Sequence, residues 1–297
     1  MRYLRTCFAV LIIIIISGCS ASDNRQYPSG GSPLVTSIDD MLLVDAPNID
    51  VLQDSHALID YSNRTSGYIG VKRQDQGTKK YKVQIGKAEE KYNYDLNGMD
   101  YNYYPLQMGN GTYRVKVLEQ IQGEEYAVML SNEFEVNLIS EQIPFLYSNQ
   151  YVDYTKESKA IKKGFDLCKK DKKNVERIYH IYDYITSTIK YDDDKREYVK
   201  DKFVLPVIDQ VLETKKGICF DYASLMCAML RSQKIPAKLV IGYTSEEYHA
   251  WVEIWVEKKG WITPDRYLKE EKWTLVDPTF DSMSKNYNGK YIKKKVY

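Results

Sequence analysis

Three side chains in the second half of the sequence have the chemistry of a nucleophile, a general base and an orienting acid. They are Cys219, His249 and Asp277. A cysteine thiolate attacks a carbonyl carbon, an imidazole accepts and later returns the proton, and a carboxylate fixes the imidazole tautomer. This set of residue types therefore indicates thiol acyl chemistry. The simpler alternative is that Cys219 is an inert core thiol, since cysteine is among the most buried residue types.

The residues after Cys219 predict the element that positions it. Residues 219–231 are apolar nearly all round, which is typical of a buried central helix. Cys219 then lies at the helix N-terminus, where unpaired N–H groups and the helix dipole stabilise a thiolate. The same N–H groups could form an oxyanion hole. Cys227 falls inside the apolar segment and is interpreted as a core residue.

The other two residues lie within predicted strands. Residues 238–243 and 249–256 alternate in the manner of strands, with His249 at the start of the second. Residues 273–277 predict a further short strand, stopped by Pro278. If this strand is an antiparallel neighbour of the His249 strand, Asp277 reaches the second imidazole nitrogen.

Seven blocks in this half resemble the transglutaminase-like superfamily. They are GICFDYA at 217–223, MLR at 229–231, IPA at 235–237, GY at 242–243, HAWVE at 249–253, GW at 260–261 and DPT at 277–279, with IKYD upstream at 189–192. The resemblance covers about residues 160–285 and implies an α+β, papain-like core in which a central helix packs on an antiparallel sheet. It implies Cys219 as nucleophile, His249 as base and Asp277 as orienting acid. A rival carboxylate, Asp265, precedes no Pro-Thr and ranks below Asp277.

The resemblance leaves several activities open. The superfamily includes cross-linking transglutaminases, proteases, amide hydrolases and inactive members. The leading hypothesis is thiol acyl chemistry on peptide or protein amides, by amine transfer or by hydrolysis. One alternative is a cysteine protease or amidase specialised for cell-wall peptides. Another is a non-catalytic surface module whose β-domain binds a glycan or a protein.

The first residues predict export. Arg2 and Arg5 precede an apolar run at residues 8–16, and small residues then lead to Cys19, which is typical of a signal peptide over residues 1–18. The sequence at 16–19 resembles the lipobox of bacterial lipoproteins, which implies a diacylated Cys19 and a stable anchor on the outer face of the cell membrane. A plain secretory signal with an incidental cysteine is the alternative. Residues 19–40 are predicted to be a flexible tether.

Short alternating runs separated by turn residues follow the tether. They lie at 68–71, 80–85, 113–118, 126–130 and 134–138 and predict a small, immunoglobulin-like β-sandwich over residues 41–142. The transglutaminase-like domain is assigned to residues 143–297. It begins with helices predicted over 156–170 and 174–189.

Composition narrows the set of partners. The formal net charge of +1 provides no field to attract nucleic acid. His180 is interpreted as structural, and residues 192–194 as a solvated acidic loop, because they lack the spacing of a calcium-binding loop. No cofactor and no metal are expected. The expected partners are an amide substrate, the membrane through Cys19, and, given this location, a cell-wall component.

Overall fold

The computed structural model describes residues 34–245, 247–264, 269–270, 273–274, 277–285, 287 and 289–297. The predicted signal peptide, Cys19 and Asp265 lie outside these residues. The end of the predicted tether is described, and it packs on the folded part. Val35 is buried, and Ile38–Asp40 forms a 3-10 helix whose Ile38 side chain packs against the core. Among the described residues, no helix has the length and apolar character needed to cross a membrane.

Eight strands form two four-stranded antiparallel sheets in the first half of the chain. They are β1 (Val51–Gln53), β2 (Ala57–Asp60), β3 (Tyr68–Arg73), β4 (Tyr81–Lys87), β5 (Glu90–Leu96), β6 (Asn102–Pro105), β7 (Gly111–Gln122) and β8 (Glu125–Val136). The orders are β1-β2-β3-β6 and β5-β4-β7-β8. Alternate residues of β4 and β5 are buried, as expected where one face of a sheet covers a core.

The strand order is that of an immunoglobulin-like sandwich, since the chain changes sheets between β3 and β4 and again on either side of β6. One detail of the prediction is wrong. Residues 126–130 and 134–138 are not two strands, because β8 runs continuously from Glu125 to Val136. Ser131 and Asn132, which look like a break, pair with Lys116 and Val115 of β7. A long neighbouring strand thus holds polar residues in extended conformation.

The second half contains six α-helices, one 3-10 helix (Ile143–Leu146) and eight short or medium strands among the described residues. The helices are α1 (Lys159–Cys168), α2 (Asn174–Thr188), α3 (Asp193–Tyr198), α4 (Ile208–Thr214), α5 (Cys219–Ser232) and α6 (Pro278–Ser282). The strands are β9 (Lys190–Tyr191), β10 (Lys216–Gly217), β11 (Ala237–Tyr243), β12 (Tyr248–Val256), β13 (Gly260–Ile262), β14 (Lys269–Glu270), β15 (Trp273–Thr274) and β16 (Ile292–Val296).

Helix α5 is the centre of this half. Every residue from Asp221 to Ser232 is buried, and the helix packs on the antiparallel sheet β13-β12-β11-β16. The fully buried guanidinium of Arg231 donates to the backbone carbonyls of Tyr147, Ala237 and Tyr297, which lie in three different parts of the chain. The predicted α+β class, with a central helix on an antiparallel sheet after a β-sandwich, is confirmed.

The two halves contact each other through aromatic rings. Tyr297 stacks on Tyr151 with ring centroids 3.7 Å apart and meets Tyr94 of β5 edge-on. The amide of Gln107 donates to the carbonyl of Val296 at 3.2 Å. The sandwich thus packs against the strand β16 that completes the sheet beneath α5.

Candidate active site

Cys219 is the first residue of α5 and is partly exposed, whereas Cys168 and Cys227 are buried. Asp221 fixes the start of this helix. Its Oδ2 accepts a hydrogen bond from the backbone N–H of Ile218 at 2.9 Å, and its Oδ1 accepts one from Lys195 Nζ at 2.7 Å. A Cβ on Gly217 would lie 2.7 Å from the Cβ of Asp221, so only glycine allows this close approach.

His249 is the second residue of β12, opposite Gly242 of β11, and is 2% exposed. Its imidazole stacks on the ring of Phe280, with centroids 4.6 Å apart and an interplanar angle of 1°. Trp251, two residues along the same face of the strand, lies in near-parallel orientation at 6.5 Å. The ring plane of His249 is therefore fixed by packing as well as by hydrogen bonds.

Asp277 is the N-cap of α6. Its Oδ1 accepts from the N–H groups of Thr279 and Phe280 at 2.9 and 3.3 Å, and its Oδ2 lies 2.9 Å from His249 Nε2. The hydroxyl of Tyr291 donates to the same Oδ2 at 3.4 Å. A carboxylate can only accept, so Nε2 carries the proton and Nδ1 is left to exchange a proton with Cys219.

The structure places Asp277 at the start of a helix, whereas the sequence predicts it at the end of a strand. Among the described residues, β15 pairs with β14 and β12 pairs with β11 and β13; residues 275–276 of the predicted strand lie outside the described residues. Asp277 is not a strand residue. Proline is favoured at the first position of a helix and aspartate at the N-cap, so Asp277 and Pro278 together begin α6.

The electrostatics of His249 follow from these contacts. Burial lowers the pKa of His249, but the hydrogen bond and charge of Asp277, together with the interaction with Cys219, outweigh burial and raise that pKa from 6.5 to about 10. The Nδ1 atom is buried and makes no hydrogen bond of ordinary geometry with a described residue. A protonated imidazole in these surroundings is a cation that interacts with the Cys219 side chain.

Several residues near Cys219 were not identified from the sequence. Phe280 follows Asp277 by three positions, and nothing in the neighbouring sequence predicts that its ring packs on His249. Tyr191 of β9 is half-buried and pairs in parallel with Gly217; burial and then the charge of Cys219 raise its pKa. Tyr243 and Tyr248 are exposed aromatic residues next to His249, with ring centroids 5.2 Å apart.

The described residues include one cluster with ligand types suited to a metal, and it lies on the sandwich. Ligand atoms of His56, Asp75 and Glu119 lie within 4.8 Å of one another. Arg73 and Lys79 already form ion pairs with the two carboxylates, so their charge is compensated by protein cations. In the predicted acidic loop, Asp192 is the N-cap of α3 and accepts from the backbone N–H of Lys195.

Comparison with known proteins relates part of the second half of the chain to a family. Residues 161–266 match the transglutaminase-like superfamily. The chain is similar to uncharacterized protein YebA of Bacillus subtilis (40% identity over 75 residues, 19% of this chain and 10% of that protein). It is also similar to protein-glutamine gamma-glutamyltransferase of Pseudomonas aeruginosa (36% identity over 73 residues, 20% of this chain and 11% of that protein).

A solved structure of a candidate cysteine protease from Cytophaga hutchinsonii aligns with 84% of this chain and 74% of that protein. The sequence identity is 16% and the TM-score is 0.41. The alignments with YebA and with the Pseudomonas aeruginosa protein each span about a tenth of the length of those two relatives. Residues 161–266 form a transglutaminase-like domain.

The contact between Asp277 and His249 predicts the effect of Asp277→Asn. An asparagine still caps α6 through its Oδ1 but carries no charge, so the pKa of His249 should fall from about 10 toward 6.5. The measurement is an NMR titration of the imidazole signals, which the presence of only three histidines makes simple to assign. Asp171→Asn is the matched control, because it removes the same kind of contact from His180. An unchanged His249 titration in Asp277→Asn would contradict the electrostatic account.

Proposed function

We propose that the protein is a cell-surface lipoprotein whose transglutaminase-like domain performs thiol acyl chemistry on peptide or protein amides. Cys219 is the nucleophile, His249 the base and Asp277 the orienting acid. The observation that carries the proposal is the buried His249–Asp277 hydrogen bond, which leaves the other imidazole nitrogen for the partly exposed Cys219 at the start of α5. Buried charged groups are costly unless paired, and the pairing here supports a base rather than a structural histidine.

The first half-reaction forms a thioester. The Cys219 thiolate attacks the amide carbonyl carbon, and a carbon–sulfur bond forms as the carbonyl oxygen becomes an oxyanion. The imidazolium of His249 then donates its Nδ1 proton to the amide nitrogen, the carbon–nitrogen bond breaks, and ammonia or an amine leaves. The first N–H groups of a helix have no intrahelical acceptor, so the N–H of Cys219 is available to the oxyanion.

The second half-reaction releases the acyl group from Cys219. Neutral His249 accepts a proton from an amine or from water as that molecule attacks the thioester carbon. The carbon–sulfur bond breaks, and the product is a new amide or a carboxylic acid, with the Cys219 thiolate and the imidazolium restored. The stacking of His249 on Phe280 keeps the ring in place through both steps, which is the kind of preorganisation that lowers the barrier.

The acyl donor to test first is a glutamine side chain. One relative is named a protein-glutamine gamma-glutamyltransferase, and it is similar to this chain over only 73 residues. The exposed Tyr243 and Tyr248 beside His249 provide apolar surface for the neighbouring parts of a polypeptide. Amine transfer and hydrolysis share the thioester and differ only in the second nucleophile.

Location is the other part of the proposal. The basic start, the apolar run and the small residues before Cys19 support export, with a lipid on Cys19 that holds the protein on the outer face of the membrane. The substrates are then surface proteins, or peptides of the cell wall.

Alkylation by iodoacetamide should distinguish Cys219 from the other thiols. Burial raises the pKa of both Cys168 and Cys227 to about 12, so these two should stay unlabelled in the native protein. Cys219 should react much faster than either buried thiol, because it is partly exposed and interacts with the imidazole of His249. Peptide-resolved mass spectrometry of the full chain gives the rate at each cysteine. In His249→Ala the reaction below pH 7 should slow by at least about tenfold. Equal, slow labelling in both proteins would favour a non-catalytic surface module.

Turnover should depend on the same residues. With a glutamine-containing protein as donor, Cys219→Ala should abolish ammonia release, and Asp277→Asn should reduce it by roughly 10³-fold or more. Incorporation of a fluorescent primary amine separates transfer from hydrolysis, and cleavage of the donor chain identifies a protease. Cys168→Ala is the control, since that buried thiol lies outside the site, and it should retain activity. Undiminished activity in Cys219→Ala would rule out the assigned nucleophile.

Membrane attachment should require Cys19. After expression in a bacterial host, the native chain should sediment with the membrane fraction, and Cys19→Ser should lose the acyl chains and leave that fraction. Mass spectrometry of the N-terminal peptide detects the lipid directly. Cys7→Ser, which lies within the predicted signal peptide, is the matched control and should change nothing. A Cys19→Ser protein that remains bound to the membrane would contradict lipid anchoring.

A further inference from the structure

The face of the sheet that packs on α5 ends in two exposed tyrosine rings. In β12, Ala250 and Val252 are buried in the core that α5 completes. Tyr248 lies on the same face, because alternate residues of a strand share a face, and it pairs with Tyr243 of β11. The two rings meet with centroids 5.2 Å apart, yet Tyr248 is 61% exposed. The apolar face of the sheet is therefore partly uncovered at this end.

A third exposed ring comes from the loop between α3 and α4. Phe203 is 64% exposed, and its ring centroid lies 6.2 Å from that of Phe220, which follows Cys219 in α5. The Phe203 ring also lies 5.8 Å from that of buried Tyr151. The gain from burying an apolar side chain is proportional to the area removed from water, so Phe203 gains little from these contacts. Packing within the chain leaves most of this ring without an apolar partner.

Tyr151 connects these exposed rings to Cys219. Its ring contacts that of Phe203 from one side. Burial raises the pKa of Tyr248, and the charges of neighbouring groups, among them Tyr151 and Cys219, raise that pKa further. Charges in salt solution act over about 10 Å, so these three side chains lie close together. The exposed rings of Tyr248 and Phe203 therefore flank the partly exposed thiol of Cys219.

Cations already occupy the neighbourhood of another ring in this region. Lys294 Nζ lies 6.0 Å from the ring centroid of Tyr243, so that tyrosine is a weaker candidate for ligand contact than Tyr248 and Phe203. A charged ligand group would lose water against the two remaining rings, and an exposed cation–π contact stabilises less than the burial of a whole aromatic side chain. The two rings therefore favour an apolar group, and an aromatic one adds ring-to-ring contacts.

We infer that the acyl donor is a polypeptide with a large apolar side chain, preferably aromatic, beside the reacting residue, and that Tyr248 and Phe203 bind this side chain. The inference rests on the proposed function, because it concerns the substrate of the same site. Neighbouring residues of an extended chain are about 3.3 Å apart, so a side chain one or two positions from the reacting residue reaches rings that flank the thiol.

Alkylation of Cys219 by a set of peptides tests the inference without requiring turnover. Each peptide carries an iodoacetylated diaminopropionic acid in place of glutamine, with phenylalanine, alanine, glutamate or lysine on both sides. The thiolate displaces iodide as the carbon–sulfur bond forms, and mass spectrometry of the full chain gives the rate constant. The phenylalanine peptide should react fastest, at least about tenfold faster than the alanine peptide. Equal rates across the set, or fastest reaction with a charged peptide, would overturn the inference.

Variants of the two rings assign the preference to this surface. Phe203→Ala and Tyr248→Ala change largely exposed side chains, so the fold is kept, and each should lower the ratio of the phenylalanine rate to the alanine rate several-fold. Tyr248→Phe retains the ring and should retain the ratio. Ile121→Ala is the matched control, because Ile121 is also 64% exposed but lies on β7 of the sandwich. An unchanged ratio in both alanine variants would refute the assigned surface.

Ammonia release from glutamine donors separates this inference from the proposed function. A preference for phenylalanine without ammonia release from any donor would support the binding of the apolar side chain and contradict the acyl chemistry. Ammonia release without the preference would support the acyl chemistry and refute the role of Tyr248 and Phe203.

Discussion

The carboxylate of Asp277 makes two sets of hydrogen bonds at once, and the geometry around Cys219 depends on both. One oxygen caps the N-terminus of α6, and the other holds the imidazole of His249. Because the carboxylate is 3% exposed, it is stable only while both sets are present. Helix α6 and β12 are thereby fixed relative to each other, and Phe280, one turn into α6, covers the face of the imidazole.

Cys219 is held by a separate set of contacts that converge on α5. Buried Asp221 ties the start of the helix to Lys195 of α3, and buried Arg231 ties its end to the carbonyl groups of Ala237 in β11 and of Tyr297, which follows β16. Buried charges are strongly destabilising when one partner is removed, so these pairs restrict the helix to one position. His249 approaches a helix terminus that is already fixed, which is the arrangement that the proposed acyl transfer requires.

Much of this arrangement was predictable, for reasons that are local in the chain. A helix that is apolar all round must be buried. The apolar residues that follow Cys219 therefore predicted its position at the start of a central helix. The alternation after His249 predicted a strand, and regular turns predicted the sandwich. The prediction failed where pairing between distant segments determines the length of a strand. The polar residues Ser131 and Asn132 predicted a break, but β8 is continuous from Glu125 to Val136.

The sequence by itself therefore determined the class of fold, the transglutaminase-like character of residues 161–266 and the residue types that can do chemistry. Only the tertiary structure decided that Asp277 lies at the N-cap of α6, and that Nε2 is the imidazole nitrogen it contacts. The physical reason is that local periodicity fixes which face of an element is buried, whereas hydrogen-bond partners depend on side chains that meet only after distant segments pack.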